Sequence, residues 1–497
     1  MPVRSFLRCS VANIKIYPDM YNSKLYNILE NFDKYEQNRC RKYIQSPYFN
    51  RSPQLMELYE QLVKEVNATQ KTGLSKEQLW NTLQPDKPYD DVRFRKYCSD
   101  LLKLVEGYLA QEELEESPVE KSILLMRSIG KKNIKPLAPY IIKQSKKASK
   151  RSKVRSSEHF EHKYQIEKLT YKLSEADIKR GERSNVENIS HNLDYFYVSE
   201  KLKYYCLVLM QKSFIKEEYE IKLIDEITDS IKKYQLDAVP NIAIYHHIYL
   251  LIKEKNNEKR FYELIKLLKK NNMLFHKEEA YNMYSYAINF CISRINQGDT
   301  KYVKECFDLF NELIETKIIL LDGKLRAWDF KNIVVLALRL DYHQWTENFI
   351  NKFSNRLPEA FRENAVTFNL ARVYFYQKKH EKVVELLRDV EYDDVAYALG
   401  ARALLLVTYY ETDEIEPLYS LMESFRAFLN RHKDIPEKRR KNYKNLIKFT
   451  KKLTKIRYGD QDAIKKLRKE IEASEGVADA KWLNEQIAEL EGTPKPA

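Results

Sequence analysis

The sequence predicts an all-α protein in which an N-terminal helical module precedes paired helices that stack into a superhelix, with no β-sheet. Apolar residues recur three and four positions apart along most of the 497-residue chain, which is the spacing of one face of an α-helix. Only ten residues are glycine. In the C-terminal half, similar helix pairs return at intervals of 35 or 36 residues. Pairs of that length cannot close a core alone, so they are expected to stack on their neighbours.

The N-terminal module covers residues 21–116 and follows a tail of residues 1–20. Ser75 and Gln78 have the spacing of a capping box at the start of one of its helices. A helix-turn-helix interpretation is disfavoured, because residues 75–110 contain six basic and six acidic side chains. A recognition helix normally lies in basic surroundings. We therefore assign no DNA reading to this module.

The segment "SPYFNRSP" (residues 46–53) is predicted to be a corner between two helices of the module. A residue that precedes proline disfavours the α conformation, so the first helix should end near Ser46. The second Ser-Pro step, at Ser52, is typical of a helix start. Tyr48 and Phe49 are expected to fill the gap between the two helices. The alternative is a docking loop for a partner.

The formal net charge of +14 is concentrated in two segments. Residues 121–157 contain twelve Lys and Arg and no acid, and residues 436–458 contain ten against one Glu. The remainder of the chain has a net charge of −7. The first segment lies in a basic connector, residues 117–157. Its part from 143 to 157 is interpreted either as an exposed connector or as the solvated first turns of a long helix.

The second basic segment predicts a packed helix with a basic stripe on its outer face. At 100° per residue its lysines fall on one side, and apolar residues such as Leu446 and Ile447 fall on the other. Clustered Lys and Arg release counterions on binding phosphate, so RNA, DNA or an anionic membrane surface is one interpretation of both segments. A solvated face without a partner is the other. The basic patch would consist of Lys146, Lys147, Lys150, Arg151, Lys153, Arg155, Lys441, Lys444, Lys448, Lys451, Lys452 and Lys455.

The predicted repeats occupy residues 158–458. The segments "NLARVYFYQKKHEKVVELL" (369–387) and "LLLVTYYETDEIEPLYSLM" (404–422) place equivalent tyrosines, Tyr374 and Tyr409, 35 residues apart. Further copies, progressively less similar, lie at residues 334–350, 290–307 and 248–265. These segments resemble tetratricopeptide repeats. The resemblance implies an α-α superhelix, or solenoid, which residues 459–497 would close with capping helices and a short tail.

As a whole, from about residue 20 to residue 490, the chain resembles uncharacterised bacterial proteins that place a helical module before such repeats. In tetratricopeptide families, the first helix of each pair lines a concave groove that binds a partner. The family's carboxylate clamp for peptide C-termini needs Lys and Asn pairs at positions where this chain has hydrophobic or mixed residues. Carried over by register, the resemblance implies a groove that includes Asp329, Asn332, Arg339, Phe368, Arg372, Tyr376 and Tyr410.

The sequence contains no motif that points to catalysis, a cofactor or a metal. No glycines are close enough together for a phosphate-binding loop, and the six cysteines are isolated from one another. His159 and His162 could share a helix face, but they are predicted to be solvated or packed rather than metal-binding. We therefore predict no catalytic residue, no cofactor and no metal site.

The expected location is the cytoplasm. Isolated cysteines are typical of a reducing compartment. No apolar run reaches the roughly 18–20 residues of a membrane helix, and the N-terminus has no apolar core of a secretory signal. The leading hypothesis is a non-catalytic scaffold that binds another protein or a peptide in the groove. The alternatives are nucleic-acid binding through residues 121–157 and 436–458, and an enzyme whose site is gathered from distant helices.

Overall fold

The all-α prediction is confirmed by the computed structural model. The structure describes residues 20–71, 73–174, 184–211, 219–254, 257–388, 395–474 and 476–492. Within these ranges the chain forms 23 α-helices and no β-strand. A single isolated bridge pairs Leu321 with Lys324. In the same ranges, no helix combines the length and the apolar character that crossing a membrane requires. The predicted tail, apart from Met20, lies outside the described residues.

The chain divides into two compact units. Unit 1 comprises Met1–Lys153 and Ser157–Phe196, and unit 2 comprises Val154–Ser156 and Tyr197–Ala497. Residues 158–196, which the sequence analysis assigned to the repeat region, thus belong to unit 1. The division falls within helix α9 (Val186–Gln211). The helices before it are α1 (Lys24–Glu30), α2 (Lys34–Gln45), α3 (Pro53–Val66), α4 (Lys76–Leu83), α5 (Asp91–Glu116), α6 (Pro118–Lys131), α7 (Ala138–Arg151) and α8 (Ser157–Ser174).

Helices α1 to α5 share one hydrophobic core. Its centre includes Leu58, Trp80 and Leu101, which are almost completely buried. The capping box at the start of α4 is present: Ser75 Oγ accepts the N–H of Gln78, and the Gln78 side chain accepts the N–H of Ser75. Two helix-terminal donors are thereby satisfied by side chains. The predicted helical module therefore has its own core and its own local start signal.

Residues 46–53 form a corner between α2 and α3. Phe49 stacks on the ring of Tyr43, with the ring centres 4.1 Å apart. Tyr48, in contrast, is 87% exposed, so the expectation that it fills the gap between the helices is wrong. Asn50 holds the corner instead: its side chain donates to the carbonyls of Ile44 and Ser52 and accepts the N–H of Ser52.

The remaining helices belong to unit 2, and each packs on its neighbour in the chain from α11 to α21. The first helices of successive pairs also touch, since α11 contacts α13, α15 contacts α17, and α17 contacts α19. Helices α22 and α23 pack against α21. The helices are α10 (Ile224–Lys233), α11 (Pro240–Lys253), α12 (Glu258–Asn271), α13 (Lys277–Asn296), α14 (Lys301–Glu315), α15 (Ala327–Arg339), α16 (His343–Phe353), α17 (Glu359–Tyr376), α18 (His380–Leu387), α19 (Val395–Glu411), α20 (Ile415–Arg431), α21 (Glu437–Leu453), α22 (Gln461–Glu472) and α23 (Ala480–Leu490).

Four helix pairs, α13–α14, α15–α16, α17–α18 and α19–α20, contain the same turn. One residue in each turn has a positive φ: Gly298 (95°), Asp341 (57°), Lys378 (58°) and Asp413 (57°). In all four turns, the N–H of the following residue donates to the carbonyl five positions earlier, over 2.8 to 3.1 Å. This is the hydrogen bond of the Schellman motif, which ends a helix with a left-handed residue. The four pairs therefore share one turn geometry.

Candidate functional site

Two of the seven predicted groove residues lie in the interior. Asp329 is 4% exposed and Phe368 is 6% exposed, so neither side chain offers a surface to a partner. The register of the first helices placed them correctly on α15 and α17, but on the packed side. The five others are exposed or half-buried: Asn332, Arg339, Arg372, Tyr376 and Tyr410.

Asp329 joins α15 to α13. It accepts a 2.6 Å hydrogen bond from the hydroxyl of Tyr281, and the guanidinium of Arg326 lies 4.5 Å from the centre of the Tyr281 ring. Burial raises the pKa of Asp329, whereas the bond from Tyr281 and the charge of Arg326 lower it. Burial also raises the pKa of Tyr281. The carboxylate is thus a buried packing group with a specific donor.

Phe368 packs α17 against α19. Its ring lies over Gly400, where an added Cβ would be 2.6 Å from Phe368 Cζ, so the close approach depends on the missing side chain. The same ring meets Tyr397 edge to face, with the centres 5.6 Å apart. Phe368 therefore contributes to the spacing between successive first helices.

Arg339 and Arg372 form a cationic site on α15 and α17. Desolvation lowers the pKa of the Arg372 guanidinium, interactions with Tyr376 and Asp479 raise it, and repulsion from Arg339 lowers it. In the part of the chain that the structure describes, neither arginine is within 4.0 Å of a carboxylate oxygen. Arg339 is exposed and Arg372 is half-buried, and two neighbouring cations without an ion-paired acid favour an anionic group between them.

The acidic residue whose charge acts on Arg372 comes from the start of α23. Asp479 lies at the N-terminus of α23 with a φ of 55°. Desolvation raises the pKa of Asp479, while the N–H of Trp482 and the charge of Arg372 lower it. Asp479 therefore interacts with Arg372.

Trp482 on α23 packs against Tyr410, the predicted groove residue of α19. The ring centres are 5.4 Å apart, and the rings are nearly perpendicular. The indole Nε1 also donates a 3.2 Å hydrogen bond to Glu411. Burial raises the pKa of Tyr410 to about 12. The last helix therefore covers one end of the predicted groove.

Glu411 contacts side chains from three different segments near the start of α23. Its side chain is only 12% exposed, and it accepts from Lys378 Nζ over 2.8 Å in addition to Trp482. His380 Nε2 lies 3.6 Å away. None of these residues was predicted from the sequence, because they come from α19, the α17–α18 turn and α23. No periodicity connects such distant segments. Trp482, one of four tryptophans, was the single compositional hint.

The basic patch is divided between the units: its residues from Lys146 to Lys153 lie in unit 1, whereas Arg155 and the lysines from Lys441 onward lie in unit 2. On α7, Lys147, Lys150 and Arg151 are exposed, whereas Lys146 forms an ion pair of 3.0 Å with Glu167. The helix ends at Arg151 and α8 begins only at Ser157. Lys153 is exposed and Arg155 is half-buried. The basic stretch is thus not one continuous helix with α8.

On α21, the predicted stripe is present. Leu446, Ile447 and Leu453 are buried on the inner side. Lys452 forms an ion pair with Glu470 of α22, and Lys451 lies 5.3 Å from the ring centre of Tyr419. The lysines of the stripe that the structure shows exposed are Lys441, Lys444, Lys448 and Lys455.

His159 and His162 do not form a pair. His159 is buried, whereas His162 Nε2 lies 3.7 Å from Glu120 and 3.9 Å from Glu158. Among the described residues, Glu120, Glu158 and His162 offer ligand atoms within 4.8 Å of one another. A cation could be held at this point. The carboxylates at this site were missed in the sequence. Distances of 3.7 and 3.9 Å are ordinary for neighbouring side chains, and we assign no metal role.

An open cavity of about 680 Å³ lies in unit 1, between α6, α8 and the start of α7. Ile129, Leu169 and Leu173 form part of its apolar lining. Lys131 and Lys172 at its rim lie in the last turns of α6 and α8, where lysine stabilises the negative end of a helix. None of the predicted site residues lines this cavity.

The chain was compared with known proteins at three levels. It matches no protein-family model, no curated protein and no solved structure at a significant level. The functional inference therefore depends on the geometry of the chain itself.

Proposed function

We propose that unit 2 is a tetratricopeptide-like solenoid that binds an acidic segment of another protein or peptide and performs no chemistry of its own. The observation that carries this proposal is the pair Arg339 and Arg372, which lies on successive first helices without a paired carboxylate. A partner carboxylate between the two guanidiniums would make charge-assisted hydrogen bonds in partly desolvated surroundings. We place this scaffold in the cytoplasm.

The solenoid part of the proposal is supported by the packing order and by the shared turns. Each helix of unit 2 from α11 to α21 packs on the next, and first helices touch one another. The four Schellman turns at Gly298, Asp341, Lys378 and Asp413 recur 43, 37 and 35 residues apart. A repeated unit that packs mainly on its neighbours is what defines a solenoid.

Tyr376 and Trp328 would supply apolar contact area. Tyr376 interacts with Arg372, and Trp328 lies at the opposite end of α15 from Arg339. Tyr376 is 41% exposed and Trp328, on α15, is 66% exposed. Exposed tyrosine, tryptophan and arginine are the residues most often found at the energetic centre of protein interfaces. We therefore propose that the partner segment combines an acidic residue for the arginines with an apolar residue for these rings.

The test is a selection of random peptides displayed on phage against the full-length protein. We expect the selected peptides to share an acidic residue. Their affinity should fall at least about 10-fold in a double variant, Arg339→Gln with Arg372→Gln, because the charge-assisted bonds are lost while side-chain size is nearly kept. Circular dichroism and thermal melting would verify that the variant remains folded.

The matched control removes two exposed cations from the end of α20, by Arg431→Gln with Lys433→Gln. It changes the net charge by the same amount and should leave peptide affinity unchanged. Selected peptides without acidic residues, or equal affinities for the two double variants, would reject the arginine site. Failure to select any peptide from repeated libraries would count against peptide binding by unit 2.

A further inference from the structure

Helices α21 and α22 present a basic surface that is larger than the stripe predicted from α21 alone. From residue 438 to residue 472 the chain contains fourteen Lys and Arg against four acids. On α22, Lys465, Lys466 and Lys469 are exposed, whereas Arg468 pairs with Glu491 over 2.8 Å. Lys444 and Lys448 of α21 and Lys465, Lys466 and Lys469 of α22 are exposed charges that a partner could reach.

The lysines of both helices surround a single carboxylate. Glu470 forms an ion pair with Lys452. The hydrogen bond from Lys452 lowers the pKa of Glu470 most, and the charges of Lys448 and Lys466 lower it further. Lys448 lies one turn before Lys452 on α21, and Lys466 lies one turn before Glu470 on α22, so both lie near this ion pair. One acid among three lysines leaves a net positive charge at the junction of α21 and α22.

An exposed aromatic ring stands at the end of this surface. Tyr458 is 75% exposed and follows Lys455 and Arg457 in the turn after α21. The turn is held in place, because the N–H of Gly459 donates to the carbonyl of Leu490 over 2.9 Å. An aromatic ring beside a row of cations is the combination with which proteins bind single-stranded nucleic acid, since unpaired bases stack on the ring while phosphates meet the cations.

We propose that the α21–α22 surface binds single-stranded nucleic acid. The phosphates are contacted by Lys444, Lys448, Lys455 and Lys466, and Tyr458 stacks on a base. Successive lysines three or four residues apart on α21 rise about 5 to 6 Å along the helix axis, a spacing that lets each meet a different phosphate of an extended strand. Backbone contacts and stacking carry no base code, so binding is independent of sequence. This inference concerns other helices and another ligand than the proposed peptide site.

The test measures fluorescence anisotropy of the full-length protein with labelled oligonucleotides of about 20 nucleotides. The probes are oligo(U) RNA, oligo(dT) DNA and a DNA duplex of mixed sequence. The logarithm of the affinity for the single strands should fall with the logarithm of the salt concentration with a slope of about −3, as four phosphate contacts predict. The tighter of the two single strands identifies RNA or DNA as the source of the ligand.

Two variants test the residues. Charge reversal of three exposed lysines, Lys444→Glu, Lys448→Glu and Lys455→Glu, should weaken single-strand binding at least about 30-fold. Tyr458→Ala should weaken single-strand binding roughly 5- to 100-fold and leave duplex binding unchanged, because paired bases cannot stack on the ring. The Arg339 and Arg372 double variant should bind the oligonucleotides like the wild type, which separates this proposal from the peptide site.

The matched control reverses three exposed lysines of α12 and α13, by Lys269→Glu, Lys270→Glu and Lys277→Glu. Equal losses in the control and in the α21 variant would reduce the effect to net charge and overturn the proposal. Duplex binding as tight as single-strand binding, with no effect of Tyr458→Ala, would also overturn it. So would binding to anionic phospholipid vesicles without binding to any oligonucleotide at low salt.

Discussion

The hydroxyl of Tyr281 donates a 2.6 Å hydrogen bond to the carboxylate of Asp329, and both side chains are buried. The bond connects α13 to α15, the first helices of two successive pairs. Asp329 was predicted from register to face a partner. Its actual role is to fix the spacing between pairs, since a buried carboxylate without a donor would be costly.

Tyr281→Phe should therefore destabilise unit 2. The variant keeps the ring but removes the donor, so the carboxylate of Asp329 is left buried with only the nearby Arg326 charge to compensate it. We expect the free energy of unfolding to fall by about 1–3 kcal/mol, as measured by urea denaturation. Asp329→Asn should cost less than Tyr281→Phe, because the amide oxygen still accepts the hydrogen bond and carries no charge.

The control for this prediction is Tyr262→Phe. Tyr262 is 38% exposed and donates a 3.1 Å hydrogen bond to Glu305. Water can replace that bond, so the change should stay within about 0.5 kcal/mol. Equal effects of the two Tyr→Phe substitutions would show that burial of the Tyr281 bond has no energetic consequence.

The shared turns predict a stabilising substitution. Asp413 has a φ of 57°, a left-handed conformation that glycine adopts without steric cost. Asp413→Gly should raise the free energy of unfolding by about 0.5–1 kcal/mol, measured by urea denaturation. The control Glu423→Gly, at an exposed position inside α20, should lower it by about 1 kcal/mol. A loss of stability in both variants would contradict the turn geometry.

The helices and their local signals could be predicted from the sequence. Periodicity located the buried side of α21 at Leu446 and Ile447, and the Ser75 capping box marked the start of α4. These features depend on residues within four positions of each other, so the sequence states them directly. The turn at Asp413 has a left-handed residue although that residue is not glycine. A search for glycine alone would therefore have missed this turn.

The candidate site could be predicted only in part. Register assigned Phe368 and Arg372 to the same side of one helix, since residues four positions apart differ by only about 40° around the axis. Phe368 is nevertheless buried, whereas Arg372 is half-buried. The exact orientation depends on the neighbouring helices. Asp479 and Trp482 could not be predicted, since they approach α17 and α19 from α23. Tyr48 was placed wrongly because it does not pack between the two helices. The hydrogen bonds of Asn50 and the stacking of Phe49 on Tyr43 hold the corner instead.

The packing of α23 against α19 depends on Trp482. Trp482→Ala removes both the contact with Tyr410 and the hydrogen bond to Glu411, so α23 should lose its anchor. We expect amide hydrogen exchange in α23 to accelerate at least about 10-fold, together with a loss of about 3–5 kcal/mol if α23 unfolds with the rest of unit 2. Mass spectrometry of peptides from α23 would measure the exchange.

Trp328→Ala is the matched control for this prediction. Trp328 is 66% exposed, whereas Trp482 is 5% exposed. Truncation of Trp328 should leave exchange in α23 unchanged, because an exposed side chain makes few packing contacts. Unchanged protection of α23 in Trp482→Ala would mean that α21 and α22 alone hold the last helix.

His246 predicts how the stability of unit 2 depends on pH. It is 6% exposed, and burial lowers its pKa to about 4, with further lowering by His247 and Lys232. In the unfolded chain the pKa is about 6.5. Between these values the unfolded state binds the additional proton, so stability is complete above about pH 7 and falls as the pH decreases. We expect a loss of about 1–2 kcal/mol at pH 5.

Urea denaturation between about pH 7.5 and pH 5 would measure this loss, above the range in which most carboxylates titrate. In His246→Gln the side chain cannot take up a proton, so the dependence on pH should become smaller by that amount. The control His432→Gln replaces a histidine whose side chain is 39% exposed and should keep the wild-type dependence. An unchanged dependence of stability on pH in His246→Gln would show that this histidine is protonated at little cost in the folded protein. Its burial beside Tyr249 would then not exclude the charge.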